Sequence, residues 1–391
     1  MPRSKSTIAA HLAGAAVLAI MALPIAQAAA QAVQSISAKD RQEGAKAHPQ
    51  LVAEFGGAVT GPQATYVEGV GKRIAVQSGL GNATSDFTVT LLNSSVNNAF
   101  AVPGGYIYTT RQLVALMNNE AELAGVLGHE VGHVAARHSA KRQSAATRNT
   151  VIGVLGSVLS GVLLGNSGIG QVLQQGFMQG SQLLTLKYSR SQETEADNLG
   201  VQYLRSAGYD PRAMSTVLQS LANQTALEAR LMGTADRVPE WASTHPDPAS
   251  RVQAALIRAG ANATGKTNRD VFLSSITGLT YGDDPKQGIV EGRKFTHPDM
   301  KFQFTAPGGF YLVNGTQAVA ISGQAGKGQL TSGAYNGDLD AYVRAGFAAL
   351  TQTGQAQIDV GTINRTTVNG LRSAYGTARV ASGGSQVDVT V

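Results

Sequence analysis

His129-Glu130-Val131-Gly132-His133 constrains this chain more than any other segment. Residues four apart on a helix share one face, so two imidazoles so placed can converge on one ion, with ring nitrogens about 2.0 to 2.1 Å from a zinc. Glu130 is one step round from His129 and points beside the ion, where a carboxylate can take a proton from water. The side chain of Asn119 can cap such a helix, Glu120 and Glu122 suit the positive end of its dipole, and the spacing predicts a helix from Asn119 to about Arg142. Solvated histidines would give the same five-residue pattern by chance, so a second element is required.

A catalytic zinc takes three protein ligands and keeps one position open. The chain has no Cys, which excludes thiolate ligands, thiol nucleophiles and iron–sulfur clusters and leaves His, Asp and Glu. His138 follows His133 by five residues, about 140° round a continuing helix, and is expected to face away. The metzincin spacing fails as well, since the positions that need Gly and His hold Ala136 and Ser139. Glu193, within Tyr188-Ser189-Arg190-Ser191-Gln192-Glu193-Thr194-Glu195-Ala196-Asp197, is the better third ligand. It shares a helical face with Asp197, which can orient a ligating imidazole from behind. Glu195 falls on another face and is expected to be solvated.

Arg3 and Lys5 precede an apolar run from Ile8 to Ile25 that ends in Ala26-Gln27-Ala28 and Ala28-Ala29-Ala30. Residues 1–30 therefore read as a cleaved secretory signal, and His11, Gly14 and Pro24 argue against an uncleaved anchor. No Cys follows either cleavage site, which argues against a lipid anchor. Without Arg3 and Lys5, 29 basic residues face 25 acidic ones. That mild excess, with no basic runs interleaved with aromatics, makes no case for nucleic acid.

Helical spacing runs from Ser37 to Gly57 and from Thr65 to Ser78, and strand alternation from Phe87 to Leu92 and through Ala99-Phe100-Ala101-Val102 to Tyr106-Ile107-Tyr108. Residues 149–186 carry no charge and eight glycines. They read either as a membrane-dipping hairpin that makes peripheral contact or as two helices packed under the site, the glycines weakening any span of about 20 residues. Helical sequence returns from Lys187 to Gly208, again after Pro211, and from Pro246 and Pro248 to Ala259. Beyond Gly265, Phe302 to Phe304, Phe310 to Val313 and Val319 to Ile321 alternate between turn signals, with one helix near Leu339 to Leu350. The expected fold is α+β: a mostly helical zinc-motif domain with a small sheet over 31–265, then a smaller β-rich α+β domain over 266–391. Gln386 to Val391 read as a strand running to the end of the sequence, so that domain is expected to be incomplete as given.

HEVGH followed by YSRSQETEAD resembles the gluzincin family that includes HtpX, Oma-type, BepA-type and CAAX-prenyl endopeptidases. Asn98-Ala99-Phe100-Ala101-Val102-Pro103-Gly104-Gly105 upstream, and Ser243-Thr244-His245-Pro246 with Arg251 downstream, extend the match over about residues 35 to 260. The resemblance implies Glu193 as third ligand, Glu130 as base and Asp197 as an acidic residue with a proton-donor role. It makes Phe100, Ala101 and Val102 a cleft edge along which an extended peptide pairs. It also brings His245 to the zinc, to stabilise an oxyanion or to close the open position in a resting state. Capping the following helix is the plainer reading of the same residue. His297 lies outside the match and reads as structural. The membrane spans and helical repeats of some relatives have no counterpart in the pattern, so their prenyl-protein substrates and repeat-borne partners do not carry over.

The expectation is one zinc ion per chain and an endopeptidase acting on unfolded or unassembled envelope proteins in periplasmic quality control, the partner of the C-terminal domain being left open. The rival is a periplasmic chaperone or assembly factor on a protease fold, with a latent zinc site. A purely structural zinc site would not require Glu130.

Overall fold

A computed structural model of the chain describes residues 35–139, 141, 188–232, 245, 247–315, 318–323, 325–349, 358–382 and 385–391. The expected signal at 1–30 and the charge-free stretch at 149–186 lie outside the described residues. Among the described residues no helix is long and apolar enough to cross a membrane.

α1 (Ala38–Glu54) starts at Ser37, whose hydroxyl accepts the Asp40 N–H at 3.0 Å. α2 (Pro62–Ala75) opens with proline in its first turn, where the missing N–H costs nothing. A single turn, α3 (Ala83–Asp86), leads into β1 (Thr88–Leu92), followed by β2 (Ala99–Val102) and β3 (Tyr106–Thr110). The strand order is β1-β3-β2, parallel between β1 and β3 and antiparallel between β3 and β2. Alternation sorts the side chains onto two buried faces. Val89, Leu91, Ala99, Ala101 and Ile107 join the main core, while Leu92, Phe100, Val102 and Tyr108 pack with Leu51 and Phe55 of the α1 segment.

α4 (Arg111–Leu116) precedes α5 (Glu120–Ala135), the helix of the two-histidine motif. Asn119 caps α5 by accepting the Glu122 N–H at 3.0 Å. The helix stops at Ala135, short of the expected Arg142, because Arg137 takes a left-handed φ of 55° that turns the chain. α6 (Arg190–Ser206) begins with a capping box between Ser189 and Gln192. α5 and α6 cross closely at glycines: a Cβ on Gly132 would stand 3.1 Å from the Ala196 carbonyl, and one on Gly200 3.2 Å from the His129 nitrogen. That approach carries Glu193 up to the histidine face. α7 (Ala213–Met232) and α8 (Pro248–Ala259) complete the bundle.

α9 (Arg269–Ser275) buries Phe272 in the main core, with Ile276 and Leu279 packed beside it, so the helical core extends past the expected boundary at 265. Arg111 then ties down the outgoing chain, its Nη1 donating to the Thr280 carbonyl at 2.8 Å and the Gly282 carbonyl at 2.5 Å. The remainder is β-rich. β4 (Ile289–Glu291), β5 (Lys294–His297) and β6 (Phe302–Thr305) form one sheet, and β7 (Phe310–Asn314), β8 (Ala318–Gly323) and β9 (Gly326–Thr331) another, around Phe295, Leu312 and Val319. α10 (Leu339–Ala349) packs with the hairpins β10 (Asn364–Val368) with β11 (Leu371–Tyr375) and β12 (Thr377–Ser382) with β13 (Ser385–Thr390) around Val343 and Phe347. His297 sits on β5, where Nδ1 accepts the Met300 N–H at 3.3 Å.

Glu120 anchors the start of α5. It accepts from Tyr66 Oη at 2.5 Å, Tyr209 Oη at 2.6 Å, Asn268 Nδ2 at 3.0 Å and Arg73 Nη2 at 3.1 Å. Burial alone would raise its pKa, but these donors together hold it below the ordinary value of 4.5. The stability it contributes is therefore present above the unfolded-state pKa and lost as pH falls through the folded one. Glu120→Gln is expected to cost about 1 to 3 kcal/mol at pH 7 by urea unfolding. The gap to wild type should close under acid, and a gap unchanged well below the ordinary carboxylate range would contradict this role.

Candidate metal centre

His129 and His133 turn their Nε2 atoms towards each other at 3.0 Å. Glu193, in the first turn of α6, sets Oε2 3.6 Å from His129 Nε2 and Oε1 3.5 Å from His133 Nε2. Atoms with these separations can all lie about 2 Å from one centre. His245 joins them, and one donor atom from each of the four residues falls within 4.8 Å of the others. All four are buried.

Neither Glu193 oxygen accepts a hydrogen bond, although Arg251 Nη1 stands 2.6 Å from Oε2 as an ion pair. Arg251 offsets the charge on one side, and a cation between the Glu193 oxygens and the two imidazoles would supply the partner those oxygens still lack. Two imidazoles and a carboxylate, with no sulfur, are a donor set that suits zinc.

Each of the two imidazole rings is held from behind. Asp197 Oδ1 lies 2.9 Å from His129 Nδ1, and Arg251 donates to Asp197 through Nε at 2.7 Å and Nη2 at 2.6 Å. Burial would raise the Asp197 pKa, but the hydrogen bonds from Arg251 and His129 hold it well below the usual carboxylate range. Burial would lower the His129 pKa, but the Asp197 hydrogen bond and the charges of Glu193 and Asp197 raise it. The same negative field favours a cation beside the ring. Of the two roles expected for Asp197, this geometry matches orientation of an imidazole rather than proton donation, because both oxygens are engaged on the far side of His129.

His133 Nδ1 lies 2.7 Å from His138 Nδ1, and His138 Nε2 lies 3.1 Å from Glu195 Oε2. Tyr188 stacks on His133 with ring centroids 3.7 Å apart. Two expectations are corrected. His138 is not among the converging donors, yet it faces the site, because α5 ends before it and Arg137 turns the chain back. Glu195 keeps 52% of its side chain exposed, but its carboxylate is engaged by His138 rather than merely solvated. Neither partner was visible from helical spacing, which assumed an unbroken helix. Arg251 stood within the motifs without a role, and only tertiary packing supplies one.

Glu130 is fully buried with Oε1 3.3 Å from His245 Nε2. The cap of α8 is Asp247, whose side chain accepts the Ser250 N–H at 3.3 Å, so the capping reading of His245 falls. Phe100, Ala101 and Val102 are buried, and among the described strands β2 pairs with β3 alone, leaving its other side without a strand partner. α5 packs against β2, which places that edge beside the histidine helix.

Residues 62–259, about half the chain, match the model of peptidase family M48. The chain belongs to this family. A beta-barrel assembly-enhancing protease of Yersinia pestis is 34% identical over 197 residues, covering 50% of this chain and 38% of the relative. The mitochondrial metalloendopeptidase OMA1 of Arabidopsis thaliana is 34% identical over 163 residues, 42% of this chain and 30% of the relative. The OMA1 of Schizosaccharomyces pombe is 30% identical over 213 residues, 53% of this chain and 57% of the relative. The aligned part thus spans about two fifths of the length of the assembly-enhancing protease. The M48 segment contains every residue of the cluster, from His129 to Arg251.

Arg251→Met would leave the Glu193 and Asp197 carboxylates facing each other in the interior. In the metal-free protein this is expected to cost about 3 to 5 kcal/mol by urea unfolding. Unchanged stability would show that the guanidinium does not hold the M48 centre together.

Proposed function

We propose that the chain is an exported zinc endopeptidase in which His129, His133 and Glu193 hold one zinc ion and Glu130 is the general base. The observation that carries this reading is the convergence of three donor side chains, with contacts of 3.0 to 3.6 Å among them and Glu130 next to His129 on α5. Bound there, zinc would supply Lewis acidity towards a peptide carbonyl and towards water. Glu130, whose oxygens accept no hydrogen bond, takes the proton of the attacking water and returns it to the departing amine. Asp197 and Arg251 keep the His129 ring in place throughout. His245 stands against Glu130, which suits a resting state that opens when substrate enters.

An extended peptide would pair along β2. Because the β2 side chains are buried, recognition there would rest on backbone hydrogen bonds and depend little on substrate sequence. That suits unfolded or unassembled proteins as substrates. The signal-like N terminus supports export to the periplasm, and the name of the Yersinia pestis relative, which speaks of beta-barrel assembly, supports envelope proteins as the substrate class. The complete burial of Glu130 under His245 favours a second reading, a chaperone or assembly factor whose zinc site stays latent.

The test compares bound zinc and cleavage of an unfolded protein in wild type and Glu130→Gln. Both are expected to hold about one zinc per chain, with cleavage slowed about 10²- to 10⁴-fold in the variant. Equal cleavage by both would remove Glu130 from the mechanism, and zinc-loaded forms that never cleave yet suppress aggregation would establish the latent reading. His245→Ala is expected to speed cleavage if the ring only closes the site. A slower variant would assign it to the oxyanion instead.

A further inference from the structure

We propose that His138 and Glu195 form a positioning pair for His133, fixing the tautomer and direction in which that ring offers Nε2 to a metal ion. The inference rests on the zinc reading above and deepens it. The two Nδ1 atoms lie 2.7 Å apart, a distance at which two bare lone pairs repel, so a proton stands between them. His133 presents Nε2 to the ligand cluster, and a neutral ring that ligates through Nε2 carries its proton on Nδ1. His133 Nδ1–H therefore donates to His138 Nδ1. The proton of His138 is then on Nε2, and that N–H donates to Glu195 Oε2 at 3.1 Å. The chain of donors runs in one direction, from the buried centre to a half-exposed carboxylate, and it sets both tautomers.

The backbone is bent to make this contact. Had α5 continued as a helix, His138 would lie about 140° round from His133 and could not reach it. Instead the helix ends at Ala135 and Arg137 adopts φ 55°, a conformation that costs a non-glycine residue about 1 to 2 kcal/mol. His138 is left with no exposed surface. The pair mirrors the arrangement on the other ligand, where Asp197 takes His129 Nδ1 at 2.9 Å. Both ligating rings are thus held at Nδ1 by a residue that is not itself a ligand. Tyr188, stacked on His133 with 15° between the ring planes, restricts rotation about the remaining axis.

The test titrates zinc into the metal-free protein against a competing chelator for wild type, His138→Leu, His138→Asn and Glu195→Ala, with thermal unfolding of each metal-free form as the control for folding. His138→Leu is expected to weaken zinc binding about 10- to 100-fold, the range for loss of a group that orients a ligand. His138→Asn, which keeps an acceptor near Nδ1, should recover most of the affinity. Glu195→Ala, a substitution at a half-exposed site, should weaken it in the same direction by less. Folded His138→Leu and Glu195→Ala proteins that bind zinc as wild type does would overturn the inference, whatever their melting temperatures. Wild type that binds no zinc would instead overturn the zinc reading itself, so the two failures are distinguishable.

Discussion

A buried guanidinium organises the centre of this protein. Arg251, brought in by α8, reaches Glu193 with one nitrogen and Asp197 with two others, and both carboxylates come from α6. Two carboxylates at this depth would otherwise repel each other and lose hydration that nothing replaces. With Arg251 in place, Asp197 stays ionised and holds His129, and Glu193 is free to turn its oxygens towards the histidines. The position of α8 is thus tied to the electrostatics of α5 and α6, and helix packing and site geometry are one problem.

The close crossing of α5 and α6 is the second requirement. Gly132 and Gly200 let the two backbones approach until Glu193 lies within 3.6 Å of both imidazoles. Larger residues would hold the helices apart and leave a two-histidine site without its carboxylate. The caps at Asn119 and Ser189 and the four donors on Glu120 fix where each helix starts. Rotation of either helix about its axis would break one of them.

Helical geometry made much of the centre legible in the sequence. The four-residue spacing of His129 and His133 and the same spacing of Glu193 and Asp197 each put two side chains on one face, and that reasoning needs only local structure. The α+β organisation could likewise be read from period-two alternation around Phe100 and Phe302. What could not be read depended on a break or on a distant contact. No glycine or proline marks the end of α5, so the left-handed Arg137 is invisible to spacing rules, and with it the return of His138 to His133 and the engagement of Glu195. The guanidinium of Arg251 lies 54 residues from Asp197 in the chain, and its role follows only from where α8 packs. The parallel pairing of β1 with β3, across the intervening β2, is likewise a tertiary outcome that alternation does not encode.

The central claim is that three donors from two helices share one ion, and crystals of the zinc-loaded protein measured at the zinc absorption edge test it most directly. A single anomalous peak about 2 Å from His129 Nε2, His133 Nε2 and a Glu193 oxygen is the expected result. A peak held by other residues, or none at this cluster in zinc-replete crystals, would contradict it.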